Sequence, residues 1–98
     1  MSATGLPSFA VRLRSRRVQK DLDALREPDY HRVLAVLRTL AAQPRPAGCE
    51  KLYDDVHRVR IGDWRIIYLV DEERRRVEVG GIRRRSERTY KGLEDLFG

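Results

Sequence analysis

Apolar and polar positions alternate near the start of the chain, where Phe9, Val11 and Leu13 interleave with Ala10, Arg12 and Arg14. A period of two suits a half-buried strand, predicted over residues 8–14. The period then lengthens. Behind Ser15, a good helix N-cap, Val18, Leu22 and Leu25 recur at spacings of four and three and predict a first helix ending before Pro28. Pro28 suits the first turn of a second helix, in which Tyr30, Val33, Leu34, Leu37, Leu40 and Ala41 share a face as far as about Ala42. The short connection makes the two helices an antiparallel hairpin with both apolar stripes turned to a sheet. Pro44 and Pro46 mark residues 43–48 as a loop.

From Val56 the pattern returns to strands. Residues 56–61 and 64–70 are rich in β-branched and aromatic side chains, and Gly62-Asp63 between them predicts a two-residue hairpin turn. That turn fixes the register: Ile61 opposite Trp64, Arg60 opposite Arg65, Val59 opposite Ile66, and Arg58 opposite Ile67. One face then carries His57, Val59, Ile61, Trp64, Ile66 and Tyr68, an apolar surface for the helices. The other gathers Arg58, Arg60 and Arg65. A third run, 75–82, follows the charged turn Asp71-Glu72-Glu73-Arg74, and the segment from Ser86 carries Tyr90, Leu93, Leu96 and Phe97, as a short amphipathic helix or ordered tail would. The order is βααβββ: an α+β fold with a helical hairpin on one face of a mainly antiparallel sheet. A chain of 98 residues supports one thin core, so residues 1–98 are expected to form a single domain.

Composition changes the picture by naming a partner. Lys and Arg number 21 against 15 Asp and Glu, a formal charge of +6 that should attract a polyanion. Arg greatly outnumbers Lys, and a guanidinium fork matches phosphate oxygens as an ammonium does not. Cys49 is the lone cysteine, so neither an internal disulfide nor a zinc cluster is expected, and a reducing cytoplasm fits. No apolar run resembles a signal peptide or the roughly 20 residues of a membrane span, so no membrane association is expected.

Like charges facing each other across strands are destabilising, so the arginine face implies a missing anion or an acidic partner. A solvated outer face, with arginine stems over Ile67 and Leu69, is the competing reading. Near the C-terminus, Arg83, Arg84, Arg85, Arg88 and Lys91 surround Tyr90, a mixture that suits RNA because guanidiniums meet phosphates and rings stack on bases.

The segments Glu50-Lys51-Leu52, His57 to Tyr68 through Gly62-Asp63-Trp64-Arg65, and Ile82 to Arg85 followed by Tyr90 together resemble the RelE/ParE toxin superfamily. The resemblance covers nearly the whole chain. It implies a toxin of a type II toxin–antitoxin system, held in a heteromeric complex by a cognate antitoxin. In the RelE branch it implies a cofactor-free, metal-independent endoribonuclease (mRNA interferase) that cuts mRNA in the ribosomal A site. By position, Arg65, Arg84 or Arg85, and Tyr90 take catalytic places and Arg58 and Arg60 would bind RNA, joined by Arg83, Arg88 and Lys91 of the basic C-terminal stretch. Attack of a 2′-hydroxyl on the adjacent phosphate needs a proton acceptor, and arginine cannot serve as one. His57 is the candidate general base by its ordinary pKa, although the alternation sets it on the core face; His31 has a weaker claim. Two alternatives stay open: a ParE-like inhibitor of DNA gyrase, and a non-catalytic RNA- or protein-binding relative.

Overall fold

The computed structural model describes residues 9–84 and Phe97. Strand β1 (Ala10–Leu13) leads into helices α1 (Arg16–Asp23) and α2 (Asp29–Ala42). Strands β2 (Glu50–Tyr53), β3 (Val56–Ile61), β4 (Trp64–Asp71) and β5 (Arg76–Arg84) follow. They form a five-stranded sheet in the order β1-β5-β4-β3-β2, in which β1 runs parallel to β5 and the other neighbours are antiparallel. The fold class is the expected one, with one strand more than the sequence pattern gave. That strand, β2, is short and begins with Glu50 and Lys51, so it carries almost no apolar alternation; charged, brief strands of this kind are what sheet edges tolerate.

Local chemistry sets the element ends. The Ser15 hydroxyl accepts a 3.4 Å hydrogen bond from the Val18 N–H and caps α1. Gly62 turns β3 into β4 with φ 57, a positive value that a tight hairpin demands at its first central residue. Between β4 and β5 the Asp71 carboxylate accepts from the Arg74 N–H at 3.0 Å, and Arg75 closes the loop at φ 54 with its guanidinium 4.2 Å from the Phe9 ring centre.

The main core lies between the helices and one face of the sheet. Val18, Leu22, Val33, Leu37 and Leu40 meet Val59, Ile61, Ile66, Tyr68, Val70, Val77 and Val79, nearly all of them almost fully buried. Each such side chain stabilises the fold by about 1.5–3 kcal/mol through removal from water. Burial, joined by the Cys49 thiol, pushes the Tyr68 phenol above its ordinary pKa, and its hydroxyl donates to the Pro44 carbonyl at 2.7 Å. The opposite face holds a smaller apolar cluster, Val56 and Ile67 with Leu52, Tyr53, Leu69 and Phe97 packed on it. A Cβ added at Gly80 would meet the Phe97 ring at 2.5 Å, so the aromatic lies directly on that backbone. Among the described residues, no helix is long and apolar enough to cross a membrane.

Candidate nucleic-acid interface

The β3–β4 hairpin adopts the predicted register, with Arg58 opposite Ile67, Val59 opposite Ile66, Arg60 opposite Arg65 and Ile61 opposite Trp64. Alternation then sends Arg58, Arg60 and Arg65 to the face away from the helices. Pairing of β4 with β5 extends this row, because Arg65 stands opposite Arg83. Three arginines, Arg60, Arg65 and Arg83, therefore lie side by side across adjacent strands about 4.8 Å apart.

The neighbouring cations differ from this row. Arg14 and Arg76 both reach Glu78, at 2.5 and 3.8 Å. Arg45 and Arg75 reach Glu72, and Arg74 reaches Asp71. Arg58 is only 6% exposed and its guanidinium meets the Glu50 carboxylate at 2.9 Å. Arg60 and Arg83, by contrast, have no acidic partner among the described residues. The fold thus neutralises arginines on either side of the row while leaving its two ends to attract an outside anion.

Several positions depart from the expectations drawn from sequence. Arg58 was expected to bind RNA, but it lies buried in the sheet face beside Glu50, and its Nε has no hydrogen-bond partner among the described residues. Arg84 or Arg85 was expected beside Arg65; the register pairs Arg84 with Trp64 on the helix side, where its guanidinium sits 5.0 Å from the indole centre. Arg83 takes the place beside Arg65. The signal was present in the alternation: Ile82 is buried in the core, so its successor must point the other way. Arg85, Arg88, Tyr90 and Lys91 lie outside the described residues.

His57 does not join the arginines. It is 4% exposed on the helix side, stacked on Tyr68 with ring centres 5.6 Å apart, and its Nδ1 lies 3.0 Å from the Asp55 carbonyl. Burial holds its pKa below the ordinary 6.5; the hydrogen bond to Asp55 opposes that shift, and the charges of Arg45 and Lys51 reinforce it. A neutral, packed imidazole results. His31 pairs with Glu27 on the exposed side of α2. Glu50 and Glu78 are acidic groups on the arginine face, and Glu50 is the more exposed of the two; sequence reasoning did not single it out because β2 itself was missed. Among the described residues no group of three or more His, Cys, Asp or Glu is placed to hold a metal ion.

Solved structures similar to this chain include RelE toxins, free and in complexes with their antitoxins. The chain superposes on RelE of the archaeal RelE–RelB complex from Pyrococcus horikoshii OT3 with a TM-score of 0.71 at 24% identity, covering 82% of this chain and 98% of that one. It is similar to the toxin–antitoxin complex RelBE2 of Mycobacterium tuberculosis (TM-score 0.69, 20% identity, 84% and 97% covered). It is also similar to the isolated E. coli RelE toxin (TM-score 0.70, 15% identity, 92% and 99% covered). These likenesses define the class by its fold, that of the RelE toxins. The family model for the ParE toxin of type II toxin–antitoxin systems, parDE, matches residues 13–89, and the chain belongs to that family, within the RelE/ParE superfamily. A search of curated proteins finds no match.

Proposed function

We propose that this toxin is a ribosome-dependent, metal-independent mRNA endoribonuclease of the cytoplasm, acting by attack of a ribose 2′-hydroxyl on the neighbouring phosphate in the A site. The row Arg60–Arg65–Arg83 carries the reading. Cleavage builds negative charge on the phosphoryl oxygens, and fixed guanidiniums aimed at that charge lower its energy without reorganising. Arg65, at the centre of the row, is assigned to the phosphate, with Arg60 and Arg83 on the flanking backbone. Arg85 and Tyr90 keep their expected catalytic places, and Arg88 and Lys91 their expected roles in holding the RNA. A cognate antitoxin, such as the RelB chains of the similar complexes, would mask the row with an acidic segment and hold the toxin in a heteromeric complex.

A second reading, inhibition of DNA gyrase, is favoured by the match to the ParE family model. One experiment separates the two. Purified toxin is added to translating ribosomes and, in parallel, to gyrase with supercoiled DNA. Cut mRNA that disappears with Arg65→Ala supports the nuclease. Intact mRNA with trapped gyrase–DNA breaks supports the inhibitor.

A further inference from the structure

Where the arginine row ends, a cleft begins. It occupies about 640 Å³ between the start of α1 and the second half of β5, and its lining includes Arg14, Arg17, Asp21, Trp64, Gly81 and Arg83. Arg83 belongs to both, so the row and the cleft form one continuous cationic path around the β5 edge.

Two features of the cleft suit an entering nucleotide. Arg17 stands in the first turn of α1, where a cation opposes the helix dipole, and that turn holds no acidic residue. Asp21, one turn on, does not relieve it: no ion pair joins the two, and Arg17 has no acidic partner among the described residues. Register between β1 and β5 stops at Leu13 opposite Val79, with a last bond from the Arg14 N–H to the Val79 carbonyl at 2.9 Å. Beyond it β5 runs on without a β1 partner, and the Phe97 ring covers Gly80. The wall is fixed, because the Trp64 indole N–H donates to Asp29 at 3.0 Å and the ring carries the Arg84 guanidinium, giving a rigid planar stack beside the cations. Phosphate recognition by a guanidinium next to a planar platform is the arrangement that suits a single-stranded nucleotide.

The geometry points to this cleft as a subsite for an RNA nucleotide flanking the cut, with Arg17 on its backbone phosphate and the Trp64–Arg84 stack beside its base. RNA would cross the row and then turn over the β5 edge into the cleft. The inference rests on the reading of the row as an RNA surface and adds a length requirement to it.

The test uses the full-length toxin and fluorescently labelled RNA that is 2′-deoxy throughout its cut site, at lengths of about 3 and about 9 nucleotides, read by anisotropy across salt concentrations. Arg17→Ala is expected to weaken the longer RNA about tenfold, to reduce its salt slope by about 1, and to leave the shorter one unchanged. Lys20→Ala, on the same helix but outside the cleft, should change neither. Arg17 is exposed and opposes the dipole, so its removal should leave the melting temperature unchanged or raise it. If Arg65→Ala weakens binding while Arg17→Ala and Lys20→Ala behave alike at both lengths, the subsite is overturned and the row stands. Binding of neither RNA by the unaltered toxin overturns the cleft as a subsite, and the row as well where mRNA on translating ribosomes also stays uncut. Loss of an acidic peptide with Arg17→Ala, with RNA binding intact, overturns the subsite in favour of protein docking.

Discussion

The two faces of the sheet are made by the same strands and differ at every second residue. On the helix side, Val59, Ile66, Tyr68 and Val79 are buried and even a histidine is packed dry. On the other, the matching positions are Arg60, Arg65 and Arg83, cations set side by side at a cost in repulsion. The first face supplies the stability that the second spends. The contrast is more specific than net charge, since Arg14, Arg45 and Arg58 are neutralised by Glu78, Glu72 and Glu50, whereas Arg60 and Arg83 have no acidic partner among the described residues.

Substitutions can break this contrast from either side. The largest loss of fold should follow Leu40→Ala: the side chain is fully buried against the sheet, and the cavity should cost about 2–5 kcal/mol in urea unfolding, a large part of the stability of a domain this small. Arg65→Ala attacks the other face. It should leave the unfolding midpoint nearly unchanged and lower the rate of RNA cleavage by about 10²–10³-fold in a single-turnover assay. Arg58→Met sharpens the boundary between the faces, because a buried guanidinium with an unpartnered Nε contributes little net stability. Urea unfolding should show stability kept or raised, and cleavage should fall far less than with Arg65→Ala.

Acid offers a milder perturbation. The His57 imidazole is held below 6.5 when folded, so the unfolded chain takes up its proton first; its contribution to stability is full above about 6.5 and is lost as pH falls from there toward the folded value. The unfolding midpoint should therefore drop between pH 7 and pH 5 more steeply for the unaltered chain than for His57→Phe. Equal slopes would place His57 elsewhere than in a dry stack. Ser15→Ala should have the smallest effect, about 0.5–1 kcal/mol by thermal unfolding, since its cap bond is long at 3.4 Å.

The sequence was most legible where one residue dictates geometry. Gly62 supplies the positive φ that a two-residue turn needs, so the register of β3 on β4, and with it the Arg60–Arg65 pair, followed directly from counting outward. Ser15 and the apolar stripes likewise marked the helices. Legibility failed where pattern was short or interrupted. Glu50–Tyr53 has too few apolar residues to read as a strand, which hid the partner of Arg58. The late arginine was sought by motif spacing at Arg84 or Arg85, whereas the side of the sheet is decided by parity from Ile82, and an irregularity in the ladder between Ile67 and Tyr68 shifts that parity relative to the start of β5.

The central claim is that the face bearing Arg60, Arg65 and Arg83 cuts RNA. Mapping mRNA ends on ribosomes stalled at a defined codon tests it most directly. The account predicts new ends within the A-site codon when the toxin is added, and none with Arg65→Ala. Uncut mRNA at toxin doses that arrest growth would contradict it.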